Sequence, residues 1–162
     1  MLPTMESETR TFLVGLFREA YEGAWKGDGT YFVDNRPGAG LLDTLDRLSA
    51  EEASEVVLPG TSSIVGHVVH LAIGMAATRD ELDGGSPDVD WEGTWKLQAT
   101  DADGWALQRR ELHDRYRDLL HRFDERPWEA PLMEALAYST AHAAWHLGAI
   151  RQLMGTRVER QG

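Results

Sequence analysis

Apolar side chains recur at three- and four-residue steps along four long stretches of this chain, and each stretch predicts an amphipathic helix. The first, from about Glu6 to Lys26, turns Phe12, Leu13, Leu16, Phe17, Ala20, Tyr21 and Ala24 inward, and Gly27-Asp28-Gly29 stops it. Asn35-Arg36-Pro37-Gly38 is a second break. A short helix from about Leu41 to Glu55 follows, burying Leu41, Leu42, Leu45 and Leu48, and Pro59-Gly60 ends that region. Thr61-Ser62-Ser63 is an N-cap cluster for the second long helix, which runs to about Leu82 with Ile64, Val68, Leu71, Met75, Thr78 and Leu82 inward. Asp83-Gly84-Gly85-Ser86-Pro87 closes it, and a long loop carries Asp90-Trp91-Glu92-Gly93-Thr94-Trp95. Thr100 or Asp101 caps the third long helix, whose stripe is Trp105, Leu112, Tyr116, Leu119 and Phe123 and whose end lies at Arg126-Pro127. The last long helix spans about Leu132 to Met154, Gly155 stands where a stop belongs, and 156–162 read as a frayed tail. No stretch alternates as a strand does. The pattern predicts an all-α chain, and a four-helix bundle with one extra short helix is the simplest way to bury these stripes.

The length of 162 residues predicts a single domain, 1–162, with a hydrophobic core. A formal net charge of −11 argues against nucleic acid and against an anionic membrane surface, because both need basic patches. With no cysteine there is no disulfide, no thiolate metal site and no Cys nucleophile, so any metal must be held by His, Asp or Glu. The N-terminus lacks a basic region and a long apolar run, and no stretch is long enough to span a membrane, which predicts a cytoplasmic protein.

Candidate chemistry lies in Ala141-His142-Ala143-Ala144-Trp145-His146, where a spacing of four puts both imidazoles on one helix face. On a helical wheel Ala135, Tyr138, His142, His146, Ala149 and Leu153 share one stripe, which places the pair in the middle of the inward face. Two adjacent buried imidazoles bring polar atoms that need partners, and one shared cation satisfies both. The second long helix offers His67, near the centre of its stripe, and His70 on the shoulder beside Gly74 and Ala77. Spacing favours His67 as the buried one, and either can face the pair. Three imidazoles with a free fourth position match a catalytic type of metal site. A single inward histidine is more often a core residue than a ligand, and aromatic stripes are more often core than a cofactor box. His113 and His121 sit among charged residues and receive no role, whereas Trp145 walls the pair.

Thr61-Ser62-Ser63-Ile64 with His70-Leu71, and His142-x-x-x-His146-Leu147-Gly148-Ala149-Ile150-Arg151-Gln152, resemble the two signatures of the DinB/YfiT-like metalloenzyme superfamily. Asp90-Trp91 with Thr94-Trp95 is similar to a loop in one branch of it. The resemblance implies an up-down-down-up four-helix bundle, a homodimer, and a divalent ion, zinc or nickel, on His70, His142 and His146. Counting from Ser63, the family interval lands on His70, which leaves His67 as the alternative or as a residue behind the ligands. The resemblance also implies a small-molecule substrate and transferases or isomerases that use low-molecular-weight thiols. Trp91, Trp95 and the start of the third helix are candidates to shape the pocket, and Asp90, Glu92 and Arg151 are candidate polar contacts. No residue stands out as a general base. Three readings stand side by side: a metal-dependent transferase or hydrolase, a non-catalytic metal- or ligand-binding bundle, and a structural bundle with buried histidines.

Overall fold

The computed structural model describes residues 4–24 and 30–161. Among them the elements are α1 (Met5–Glu22), α2 (Leu41–Asp46), α3 (Ala50–Ser54), α4 (Ile64–Leu82), a 3-10 turn (Gly93–Trp95), α5 (Ala102–Glu125) and α6 (Ala130–Gln161), with no strand. The chain is all-helical, as its periodicity predicts.

Caps explain most boundaries. Ser63 accepts from the Gly66 amide to start α4, and Asp101, rather than Thr100, accepts from Gly104 to start α5. Ser49 and Glu52 form a reciprocal capping box, which splits the region expected as one helix over 41–55 into α2 and α3. Helix α1 ends at Glu22, short of the expected Lys26, because Gly23 adopts a left-handed φ of 94° and its N–H closes on the Glu19 carbonyl. The returning chain also crosses this end so closely that a Cβ on Gly40 would stand 2.4 Å from the Tyr21 carbonyl oxygen. Lys26 and the expected stop at Gly27-Asp28-Gly29 lie outside the described residues. Gly155 does not end α6, which runs on to Gln161 through the segment expected to fray. Gly155 has no positive φ, and without a left-handed turn one glycine only weakens a helix, by about 1 kcal/mol.

Helix α1 packs on α5 and α6, and α4 packs on the same two. At the centre Tyr21 stacks on Tyr116 at 4.6 Å, Phe17 meets Phe123 edge-on at 5.1 Å, and the Tyr21 hydroxyl donates to the Met75 sulfur. Arg10, near the start of α1, donates to the carbonyl of Phe123 near the end of α5. Arg122 of α5 and Arg126, just past its end, pair with Asp83, just past the end of α4. The predicted stripes of α4 and α5 lie inward, except that Leu82 is half-buried. Two faces differ from expectation. Phe12 is exposed and packs edge-on against Tyr31. The buried face of α6 runs through Leu132, Leu136, Ser139, Ala143, His146, Leu147, Ile150 and Leu153, so His146 lies within that face as expected, whereas the half-buried His142 sits at its edge and Tyr138 is half exposed. No helix among the described residues is long and apolar enough to cross a membrane.

Candidate metal centre

On the flank where α4 meets α6, four imidazoles converge. His146 is fully buried, His67 is 6% exposed, and His70 and His142 are half-buried. The ring centroids of His142 and His146 lie 4.6 Å apart, and that of His70 lies 5.2 Å from each. His70, His142 and His146 each offer one ring nitrogen, all within 4.8 Å of one another, and this group can bind a metal ion. The Nε2 atoms of His142 and His146 are 3.0 Å apart. Tetrahedral bonds of about 2.0–2.1 Å set two ligand nitrogens about 3.4 Å apart, so the pair sits within a few tenths of an ångström of that spacing.

The outer nitrogens of His70 and His146 are taken by other groups. Thr94 donates its hydroxyl proton to the Trp91 carbonyl at 2.6 Å. A hydroxyl has one proton, so the same oxygen must accept from His70 Nδ1–H, which stands 2.6 Å away. This sets the His70 tautomer and leaves its Nε2 with a lone pair. His146 Nδ1 lies 3.0 Å from His67 Nδ1, so the wheel's buried histidine backs the pair on α6. Partners of this kind orient metal-ligating imidazoles and raise their basicity. The donor set is three nitrogens, no sulfur and no carboxylate, which suits zinc, copper, nickel or iron.

Glycines and one glutamine hold this geometry. A Cβ on Gly74 would meet His142 Cε1 at 3.0 Å and Nδ1 at 3.3 Å, so the absent side chain lets the His142 ring lie against α4. Gln98 accepts from the Ser63 amide at 2.7 Å and donates to the Ser62 hydroxyl and the Trp95 carbonyl, pinning the 3-10 turn over the start of α4. A Cβ on Gly66 would stand 2.7 Å from the Gln98 amide nitrogen. Trp95 then stacks on His70 at 4.2 Å, while Trp145 meets His146 edge-on at 4.7 Å. Burial pushes all four imidazoles below their usual range: His67 and His142 to about 4, His146 to about 2, and His70 in the same direction. Neighbouring imidazoles add to the shift for His67, His142 and His146.

The expected polar contacts lie elsewhere. Asp90 caps the 3-10 turn through Gly93 and meets Lys96, and Glu92 is exposed. Arg151 donates to the carbonyls of Phe32 and Ala39. Trp91 packs 5.7 Å from His70, but the start of α5 turns to the core, where Trp105 donates to the Leu48 carbonyl. His121 is exposed, and the half-buried His113 lies 3.9 Å from Asp46. The sequence reading assigned no role at the site to Thr94, Gln98 or Gly74. A threonine between two tryptophans and a glycine in mid-helix beside His70 were the available signals. Compared with protein-family models, with curated proteins and with solved structures, the chain matches none.

Proposed function

We propose that this chain is a metal-dependent enzyme of the DinB/YfiT-like type, with His70, His142 and His146 holding a zinc or nickel ion and a low-molecular-weight thiol as one substrate. One observation carries the reading: three imidazoles from two helices converge while the outer nitrogens of His70 and His146 are held by Thr94 and His67. Contacts along the helices support an up-down-down-up order. Arg10 meets Phe123, and Tyr116 meets Glu22, which makes α1 and α5 antiparallel. His67 meets His146, and Gly74 meets His142, which makes α4 and α6 antiparallel, and Arg122 near the end of α5 meets Asp83 just past the end of α4, which makes those two parallel. The homodimer belongs to the same resemblance.

A divalent ion held by neutral nitrogens with an open position is a Lewis acid that lowers the pKa of a thiol or water and polarises a carbonyl. The chain's own residues prepare for this. Low imidazole pKa values keep the ligand lone pairs unprotonated at neutral pH. Trp95 and Trp145 restrict ring rotation and exclude water on one side. Half-buried His70 and His142 leave a way in from solvent. A second reading has its own support: His67, His146 and His142 form a chain of 3.0 Å contacts, which can satisfy the buried rings of a purely structural bundle.

Metal analysis of the purified protein separates the two. We expect about one divalent ion per chain, lost when His70, His142 and His146 are all changed to Ala. Unchanged metal content in that variant overturns the site. Activity toward thiol and electrophile pairs that a chelator abolishes and a single ion restores would distinguish an enzyme from a binding module.

A further inference from the structure

Beside the histidines, between the start of α4 and the middle of α6, lies a cavity of about 410 Å³. Leu58, His67, Trp95, Trp145, Ala149 and Leu153 form most of its wall, and the remaining lining is uncharged. This is unusual for a chain of net charge −11, and it differs from the cleft of about 480 Å³ that contains Arg36, Arg47, Arg151 and Asp34. A charged ligand would lose hydration here without an ion partner, whereas a ring would lie between two indoles. Trp145 is 59% exposed and Leu58 42%, so apolar surface at the rim stands ready to be covered.

His67 is the one imidazole in this wall, and it joins the cavity to the metal centre. Its Nδ1 faces His146 Nδ1 at 3.0 Å. When His146 commits Nε2 to an ion, its Nδ1 must carry the proton and donate to His67. His67 must then keep its own proton on Nε2, as a donor. We propose that this cavity binds the uncharged, ring-bearing part of a small molecule that presents a hydrogen-bond acceptor to His67 Nε2. The acceptor half rests on the metal reading, and the apolar half does not.

Prodan, an uncharged naphthalene ketone whose emission shifts to the blue in apolar surroundings, tests this on the metal-loaded protein. We expect a saturable blue shift, and binding at least about tenfold weaker in Ala149→Phe, whose new ring fills the cavity. Unaltered circular dichroism and metal content would certify the fold of that variant. The anionic anilinonaphthalene sulfonate should bind about tenfold more weakly than Prodan. The advantage of Prodan over 2-dimethylaminonaphthalene, which lacks the ketone, should shrink in His67→Phe. In His142→Ala metal content should fall while Prodan binding stays within about threefold. Absence of a saturable shift overturns the proposal, as does equal binding by Ala149→Phe or a dimer whose interface buries the cavity and excludes Prodan. Prodan binding by a protein that takes up no metal would remove the metal reading and the acceptor half, and leave the apolar site standing.

Discussion

At the scale of single residues, the centre depends on which proton sits on which nitrogen. Thr94 has one hydroxyl proton and spends it on the Trp91 carbonyl, so it can only accept from His70. Thr94→Val keeps the shape and removes the acceptor. His70 is then free to turn or to change tautomer, and its Nδ1–H loses a partner. We expect metal affinity to fall about 10- to 100-fold, the range seen when the partners of metal ligands are removed. Competition with a chromophoric chelator measures it, and an unchanged affinity would show that the hydroxyl does not hold the ring. None of this was legible in the sequence, because Thr94 lies 24 residues from His70 and only the 3-10 turn brings them together.

At the scale of elements, α4 meets α6 where α4 has no side chain at Gly74. Alanine there would raise helix propensity by about 1 kcal/mol while forcing its Cβ to 3.0 Å from His142 Cε1. Gly74→Ala should therefore hold or raise the melting temperature of the metal-free protein while weakening metal binding. A variant that loses stability and keeps its metal affinity would contradict this account. The element boundaries show why glycine is hard to read in a linear pattern. Gly23 ended α1 with a positive φ, and Gly155, which has none, left α6 running. The difference is one of conformation, which the residue type allows and does not dictate.

At the scale of the whole molecule, burial of four imidazoles makes the metal-free fold sensitive to pH. Below about pH 6.5 the unfolded chain protonates these rings, whereas His67, His142 and His146 resist until about 4, 4 and 2 in the fold. The unfolded state then binds more protons, so stability rises with pH through this window and is lost as pH falls. Each ring kept neutral adds a slope of up to about 1.4 kcal/mol per pH unit. In the presence of a chelator, the melting temperature should change little near pH 7.5 and drop increasingly as pH falls from about 6.5 to 5, and a flat profile would contradict the burial described here. This window lies above that of carboxylates such as Asp83, held low by Arg122 and Arg126.

Periodicity along the chain determined the helical class, the inward stripes of α4 and α5, and the placing of two imidazoles on one side of α6, because those properties depend on spacing along a single rod. It also put His67 deeper than His70. The tertiary structure alone decided that His142 sits at the edge of the α6 buried face while His146 lies within it, that His67 stands behind His146, and that Thr94 and Gln98 reach the same corner. Those relations depend on how one rod is rotated against another and on how a loop folds back. That rotation is set by the whole packed interface, including a missing Cβ at Gly74, and no local spacing encodes it.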